Sequence, residues 1–124
     1  MKRSMMQAYV KGSKEAVDLY MKAFNASLGF HVLSSDDTYY HSELDICGNI
    51  LAVAEAADPL DKTIAGNTMQ FCLHYGEGNE DLVKQAYETL KDGSEILFPL
   101  GPNDFSTLCA DLIDKFGVRW CLFV

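Results

Sequence analysis

Apolar and aromatic residues recur at helical spacing in two separate stretches of the chain, GSKEAVDLYMKAFN and GNEDLVKQAYETLKDG. The first stripe consists of Ala16, Val17, Tyr20, Met21 and Phe24, and the second of Leu82, Val83, Ala86, Tyr87 and Leu90. Ser13 and Asn79 stand where an N-cap residue is expected, each followed by acidic residues in the first turn. The pattern predicts two amphipathic helices, near residues 14–25 and 80–92.

The similarity between the two stretches extends beyond the helices. Tyr9 and Gly12 precede the first helix at the same offset as Tyr75 and Gly78 precede the second. An apolar strand, FHVL or EILFPL, follows each helix, and two further strands joined by a tight turn follow that strand. The order strand, helix, strand, strand, strand therefore occurs twice, which indicates a duplicated unit.

A chain of 124 residues with 48% hydrophobic residues is long enough for one domain with a real core. We predict a single α+β domain of two βαβββ modules, about 1–57 and 68–124, whose mixed and antiparallel strands form a curved sheet around a cavity. A polar linker with the breakers Pro59 and Gly66 would span about 58–67. The final strand, VRWCLFV, is apolar on both faces: Trp120 should pack beneath the second helix, and the other face should line a cavity or a subunit contact.

Charge and cysteine spacing narrow the function classes. The formal net charge of -8 repels phosphate backbones and anionic lipids, so we expect neither a nucleic acid nor a membrane partner. No apolar run approaches the length of a transmembrane helix. Four cysteines (Cys47, Cys72, Cys109 and Cys121) form no C-x-x-C pair, which favours reduced core thiols in a cytoplasmic protein.

Several motifs are similar to a known family. EAVDLYMKAF, then H-x-x-L-x-I-x-G beginning at His41, and above all L-x-D-K-F-G-V-x-W from Leu112 to Trp120 resemble the PhnB-like branch of the glyoxalase/bleomycin-resistance, or vicinal oxygen chelate, superfamily. The resemblance covers nearly the whole chain, although Ser106-Thr107 stands where relatives often have Trp-Gly. It implies a paired βαβββ fold, usually dimeric, with a small-molecule cavity, and no particular reaction.

The resemblance also implies a divalent metal, held by His and Glu from the first and fourth strands of each half. The first-strand positions fall within residues 5–7 and 69–71, MMQ and MQF, which contain neither histidine nor carboxylate. The fourth strands offer only Glu55 and Cys121. We therefore expect no metal at the usual site and no cofactor.

A second group of candidates lies in YHSELDIC. Strand alternation places His41, Glu43, Asp45 and Cys47 on one face, which could form a metal or acid/base site. The simpler interpretation, which we favour, is a solvated strand face. His74 is expected at a strand end or in a pocket lining.

Two function classes follow. The first is a PhnB-like small-molecule binding protein, a homodimer with a degenerate metal site. Its pocket candidates are Gln7, His41, Glu55, Gln70, His74 and Cys121. The alternative is an enzyme, lyase, isomerase or dioxygenase-like, with an altered metal site at His41 and Glu43 or a carboxylate base such as Glu55.

Overall fold

The computed structural model describes residues 1–56, 64, 66 and 68–124, which fall into two compact units, Met1–Ile64 and Ala65–Val124. The first unit contains β1 (Met6–Val10), α1 (Ser13–Phe24), β2 (Ser27–Leu33), β3 (Tyr39–Ile46) and β4 (Asn49–Glu55). The second contains β5 (Phe71–His74), α2 (Glu80–Leu90), β6 (Glu95–Gly101), β7 (Cys109–Ile113) and β8 (Arg119–Phe123). The predicted α+β class and the repeated βαβββ order are confirmed.

Most of the predicted linker, including Pro59, lies outside the described residues. Neither described helix is long and apolar enough to cross a membrane.

Each unit forms an open sheet of four strands with the same topology. The strand order is β1-β4-β3-β2 in the first unit and β5-β8-β7-β6 in the second. The first and last strands of each unit pair in parallel and the other neighbours are antiparallel. The last strand of a unit is therefore an interior strand, hydrogen-bonded to a neighbour along both of its edges.

The core of the first unit lies between α1 and its sheet. Two details of the predicted helix differ from the structure. Gly12, with φ 90°, is the N-cap of α1, whereas Ser13 is the first helical residue and is fully buried. The Ser13 hydroxyl accepts a hydrogen bond from the Tyr39 N–H, so it joins the helix to β3 and does not cap the helix. Ala23 is buried in place of the half-buried Met21.

In the second unit α2 packs on β8, as predicted for the face that bears Trp120. Val83, Ala86 and Leu90 are the buried helix residues, while the predicted Leu82 and Tyr87 are only half-buried. Asn79 is the N-cap as predicted, but its side chain donates to the Tyr75 carbonyl 2.8 Å away and not to the helix. Five residues separate β5 from α2 against two in the first unit, so the loops are not identical.

The motif L-x-D-K-F-G-V-x-W builds the turn between β7 and β8. One oxygen of the buried Asp114 carboxylate accepts from the N–H groups of Phe116 and Val118, at 2.9 and 3.0 Å. The other oxygen accepts from the indole N–H of Trp120 at 2.8 Å. Gly117 has φ 86°, a conformation that favours glycine. The most specific part of the family resemblance is therefore a structural turn.

Two surface expectations require correction. Cys109 and Cys121 are buried, but Cys47 and Cys72 are exposed, so only half of the cysteines are core residues. All four are free thiols. The His41 face of β3 is not a solvated face throughout, because Glu43 is buried.

Candidate functional site

In each unit, the sheet face that bears the odd-numbered residues of β3 or β7 carries a hydrogen-bonded group of polar side chains. Gln7 of β1 and Glu43 of β3 both pair with Ala52 of β4, so all three residues point to the same side of the first sheet. The corresponding register in the second sheet pairs Cys72 and Asp111 with Cys121. We call these the polar faces of the two units.

Four residues form a network on the first polar face, the Glu43 cluster: Arg3, Gln7, His41 and Glu43. The Arg3 guanidinium donates two parallel hydrogen bonds to the Glu43 carboxylate, at 2.9 Å to Oε2 and 2.7 Å to Oε1. Nε2 of His41 lies 3.0 Å from Glu43 Oε1, and Nδ1 lies 3.1 Å from the side-chain oxygen of Gln7. Because ionised Glu43 can only accept, Nε2 of His41 is the donor in that contact.

The cluster keeps a buried carboxylate ionised. Hydrogen bonds from Arg3, and next from His41, lower the pKa of Glu43 to about 2, against the opposing effect of burial. The same ion pair raises the pKa of Arg3. Both Glu43 oxygens already accept hydrogen bonds from Arg3 or His41, so neither is free to take a proton from a substrate as a general base would.

Glu55 lies on the other face of the first sheet, where its register partner is Val10. Its two carboxylate oxygens accept from the backbone N–H groups of Gly12 and Ser13, at 3.0 and 2.6 Å. Burial acts to raise the pKa of Glu55, but these hydrogen bonds outweigh it and hold the pKa below its ordinary value. Glu55 therefore caps α1 and is separated by the sheet from Gln7 and His41.

The second polar face carries the Asp111 cluster, which consists of Gln70, Asp111 and Arg119. Arg119 donates from Nε and Nη2 to the two Asp111 oxygens, at 3.1 and 2.9 Å. The Gln70 amide donates to Asp111 Oδ2 at 3.0 Å, and Cys72 Sγ lies 3.5 Å from the Gln70 oxygen. Each unit thus pairs a strand carboxylate with an arginine, and a glutamine contacts that carboxylate directly in the second unit and through His41 in the first.

Aromatic and sulfur groups complete the second polar face. His74 stacks on Phe123 with ring centroids 4.7 Å apart and planes within 10°, and Phe105 meets Phe123 edge-on at 5.4 Å. Burial raises the pKa of Cys121 to about 12, with a further contribution from Cys109. Cys121 is therefore a protonated thiol at neutral pH and not an activated nucleophile.

The residues that face each other across the first and last strands of each polar face make an incomplete ligand set for a divalent ion. On the polar faces the first-strand and last-strand neighbours are Gln7 with Ala52 in one unit and Cys72 with Cys121 in the other. The first pair offers at most one amide oxygen and the second offers two thiols, whereas a catalytic zinc site takes three protein ligands. Within the described parts of the chain, no group of three or more His, Cys, Asp or Glu side chains is arranged to hold a metal.

The structure brings some of the predicted candidates together and separates others. Gln7 and His41 are hydrogen-bonded partners in the first unit. Gln70 and Cys121 share the second polar face, and His74 lies at the end of β5 on that face. Glu55 stands apart from both groups.

Sequence reasoning assigned no role in the site to the two arginines or to Asp111. Alternation along CADLI and VRWCLFV places Asp111 and Arg119 on the Cys121 face and was a usable signal. No periodicity marks Arg3, because it precedes the first strand and reaches Glu43 only in the folded chain.

No protein-family model matches the sequence, and no curated protein sequence matches it either. Solved structures do match. A PhnB protein from Bacillus cereus superposes with a TM-score of 0.81 at 19% identity, covering 99% of this chain and 98% of that one. The fosfomycin resistance protein FosX from Mesorhizobium loti gives 0.70 at 12% identity, covering 98% and 89%. A FosX variant from Listeria monocytogenes, in complex with manganese(II) and dihydroxypropylphosphonic acid, gives 0.64 at 17% identity, covering 98% and 90%.

The matched structures confirm the resemblance at the level of the fold. They include a protein described with a metal and a phosphonate, so the same fold is compatible with metal chemistry elsewhere. This chain therefore has the vicinal oxygen chelate fold that PhnB and FosX proteins share.

Proposed function

We propose that this chain is a PhnB-like small-molecule binding protein whose ligand contacts the polar face of a unit and whose usual metal site is degenerate. The observation that carries the proposal is the register of the strands, which puts Ala52 beside Gln7 and Cys121 beside Cys72. The positions that would supply ligands to a metal thus supply neutral groups, while the charged groups nearby are held in fixed geometry by one another.

The proposed contacts are Gln7 and His41 for a ligand on the first polar face, and Gln70 and His74 for a ligand on the second. Each of the first three residues is oriented by a hydrogen bond to a cluster partner, and His74 is oriented by stacking on Phe123. A few polar groups held in place among apolar and aromatic side chains are typical of small-molecule sites. Cys121 would contribute packing, and Glu55 is retained only as a more distant candidate because it caps α1.

An acid/base enzyme is the second candidate, and one contact favours it. Glu43 orients the His41 ring through Nε2, which is the arrangement by which a carboxylate positions an imidazole base. The other ring nitrogen, which would act as the base, faces the side-chain oxygen of Gln7, an acceptor like itself, so a substrate would first have to displace that amide. This requirement makes the binding function the preferred proposal.

Two wider properties belong to the same proposal. Edge strands β2 and β6 have exposed apolar side chains, among them Val32, Leu97 and Phe98, and a second copy of the chain could cover them in a homodimer. Sedimentation at micromolar concentration tests the dimer, and a monomer would contradict it. Four free thiols are compatible with the reducing conditions of a cytoplasm.

The direct test of binding is an isotope-labelled sample screened against a diverse set of small molecules by NMR. We expect bound compounds to shift the side-chain signals of Gln7 and His41, or of Gln70 and His74. Alanine at each of these positions should weaken binding, whereas Lys84→Ala, on the exposed surface of α2, should not. Compounds that bind equally well to all variants, or signals that move only on the helices, would contradict the proposal.

A further inference from the structure

Glu43, the most buried charged residue among those described in the first unit, is paired with a residue that lies outside the helix and strands of that unit. The Glu43 side chain is 7% exposed, whereas the Arg3 side chain that neutralises it is 55% exposed. Arg3 belongs to the segment before β1, which forms neither helix nor strand. A buried carboxylate on a central strand is thus paired with a half-exposed group on a terminal segment.

The geometry at Glu43 is that of a recognition site for a planar cation. Two parallel N–H donors meet two carboxylate oxygens at 2.7 and 2.9 Å, and His41 fixes the carboxylate from a second side. Any guanidinium can make this pair of hydrogen bonds, and a primary ammonium can make one or two of them. The arginine of the chain itself shows which chemical group the site accepts.

The surroundings favour an organic cation over a hydrated metal ion. The Phe30 ring lies with its centroid 6.0 Å from that of His41 and is 64% exposed. Tyr9, two residues from Gln7 and therefore on the same sheet face, is 54% exposed. Exposed rings on the sheet face that carries the Glu43 cluster can pack against the hydrocarbon part of a ligand and attract its charge.

We propose that Glu43 is the recognition point for an organic cation bearing a guanidinium or a primary ammonium, and that Arg3 occupies this point until the ligand displaces it. The inference rests on the proposed function and assigns a ligand class to it. Glu43 would select the cation, His41 would hold the carboxylate in position, and Arg3 would be an internal competitor. Removal of the competitor should therefore strengthen binding.

The test uses the full chain with butylguanidinium as the probe, and butylurea as a neutral probe of the same shape. NMR follows the Arg3 Nε–H signal and the His41 ring signals in the wild type, Arg3→Ala, Glu43→Gln and Lys2→Ala. Lys2 is the matched control because it is an exposed cation of the same segment. The wild-type titration keeps the test decisive even where Arg3→Ala, which leaves Glu43 without its main partner, fails to fold.

We expect butylguanidinium to move the wild-type Arg3 signal towards that of a free arginine. Arg3→Ala should bind the probe about tenfold more tightly or better, Lys2→Ala should match the wild type, and Glu43→Gln should lose the binding. Butylurea should bind none of them.

Three results would overturn the inference: an Arg3 signal that stays fixed, an Arg3→Ala variant that gains no affinity, or equal binding of butylurea. A neutral or anionic compound that shifts the NMR signals of Gln7 and His41 but not that of Arg3 would refute the assignment of an organic cation as the ligand. The proposed binding function would still stand. If no compound in the screen binds, both proposals fail.

Discussion

Replacing Glu55 by alanine would remove the carboxylate that caps helix α1. Glu55 accepts from the Gly12 and Ser13 N–H groups at 3.0 and 2.6 Å, and alanine leaves both donors without this partner. Loss of a helix cap costs about 1 kcal/mol, and a hydrogen bond to a charged group contributes about 1.5–3 kcal/mol. Because water can reach the half-buried site and replace part of this contribution, we expect the free energy of unfolding to fall by about 2–3 kcal/mol.

The measurement is urea denaturation followed by circular dichroism at neutral pH. Glu55→Gln should cost less than alanine, about 1 kcal/mol, because its amide oxygen can still accept one of the two hydrogen bonds. Asp18→Asn is the matched control, since Asp18 is an exposed carboxylate on the same helix. We expect this control to stay within about 0.5 kcal/mol of the wild type.

The pH dependence gives an independent check. The folded-state pKa of Glu55 is lowered, so its stabilising contribution is present above the ordinary value of 4.5 and is lost as the pH falls through the folded pKa. The difference between the wild type and Glu55→Gln should therefore shrink below that pH. An alanine variant as stable as the Asp18 control, or a difference that persists unchanged in acid, would refute the capping role.

Three further predictions concern other groups of the two units. The folded-state pKa of Glu43 is lowered to about 2, so the stability that its carboxylate contributes is lost as the pH falls from about 4.5 to 2. The free energy of unfolding of Glu43→Gln should therefore depend less on pH in this window than that of the wild type. Parallel pH curves from urea titrations would contradict this. Iodoacetamide should alkylate exposed Cys72 in the native protein and Cys121 only after unfolding, as peptide mass spectrometry can show; native labelling of Cys121 would contradict its burial. Asp114→Ala should lower the free energy of unfolding by roughly 3–5 kcal/mol in denaturant titrations, because the N–H donors of the β7–β8 turn and of the Trp120 indole lose their acceptor. A near-neutral effect would contradict the structural role of Asp114 in this turn.

The elements could be predicted from the sequence because their signals are local. Helical spacing in EAVDLYMKAF, strand alternation in YHSELDI and the turn D-K-F-G each depend on residues close in the chain. Even here Ser13 was misassigned as a cap, since the donors at the start of α1 are satisfied by Glu55, which lies 42 residues further along the chain. Capping by a distant side chain leaves no local pattern.

The candidate site was less predictable because it depends on contacts between distant residues. Gln7 and His41 were found as strand residues, but their partnership spans 34 residues and follows only from the register of β1, β4 and β3. Strand alternation alone predicts that Glu43 belongs to a solvated face, whereas in the structure it pairs with Arg3, 40 residues away along the chain. Pairing between distant charges is a tertiary effect that periodicity does not contain.

Elemental analysis of protein purified without chelator tests the central claim, that this fold here serves binding without the usual metal. We predict far less than one equivalent of zinc, nickel, manganese or iron per chain, because Gln7 with Ala52, and Cys72 with Cys121, each supply fewer than the three protein ligands of a catalytic metal site. About one equivalent per chain that is lost on replacing His41 or Glu43 by alanine would contradict the account and favour the enzyme alternative.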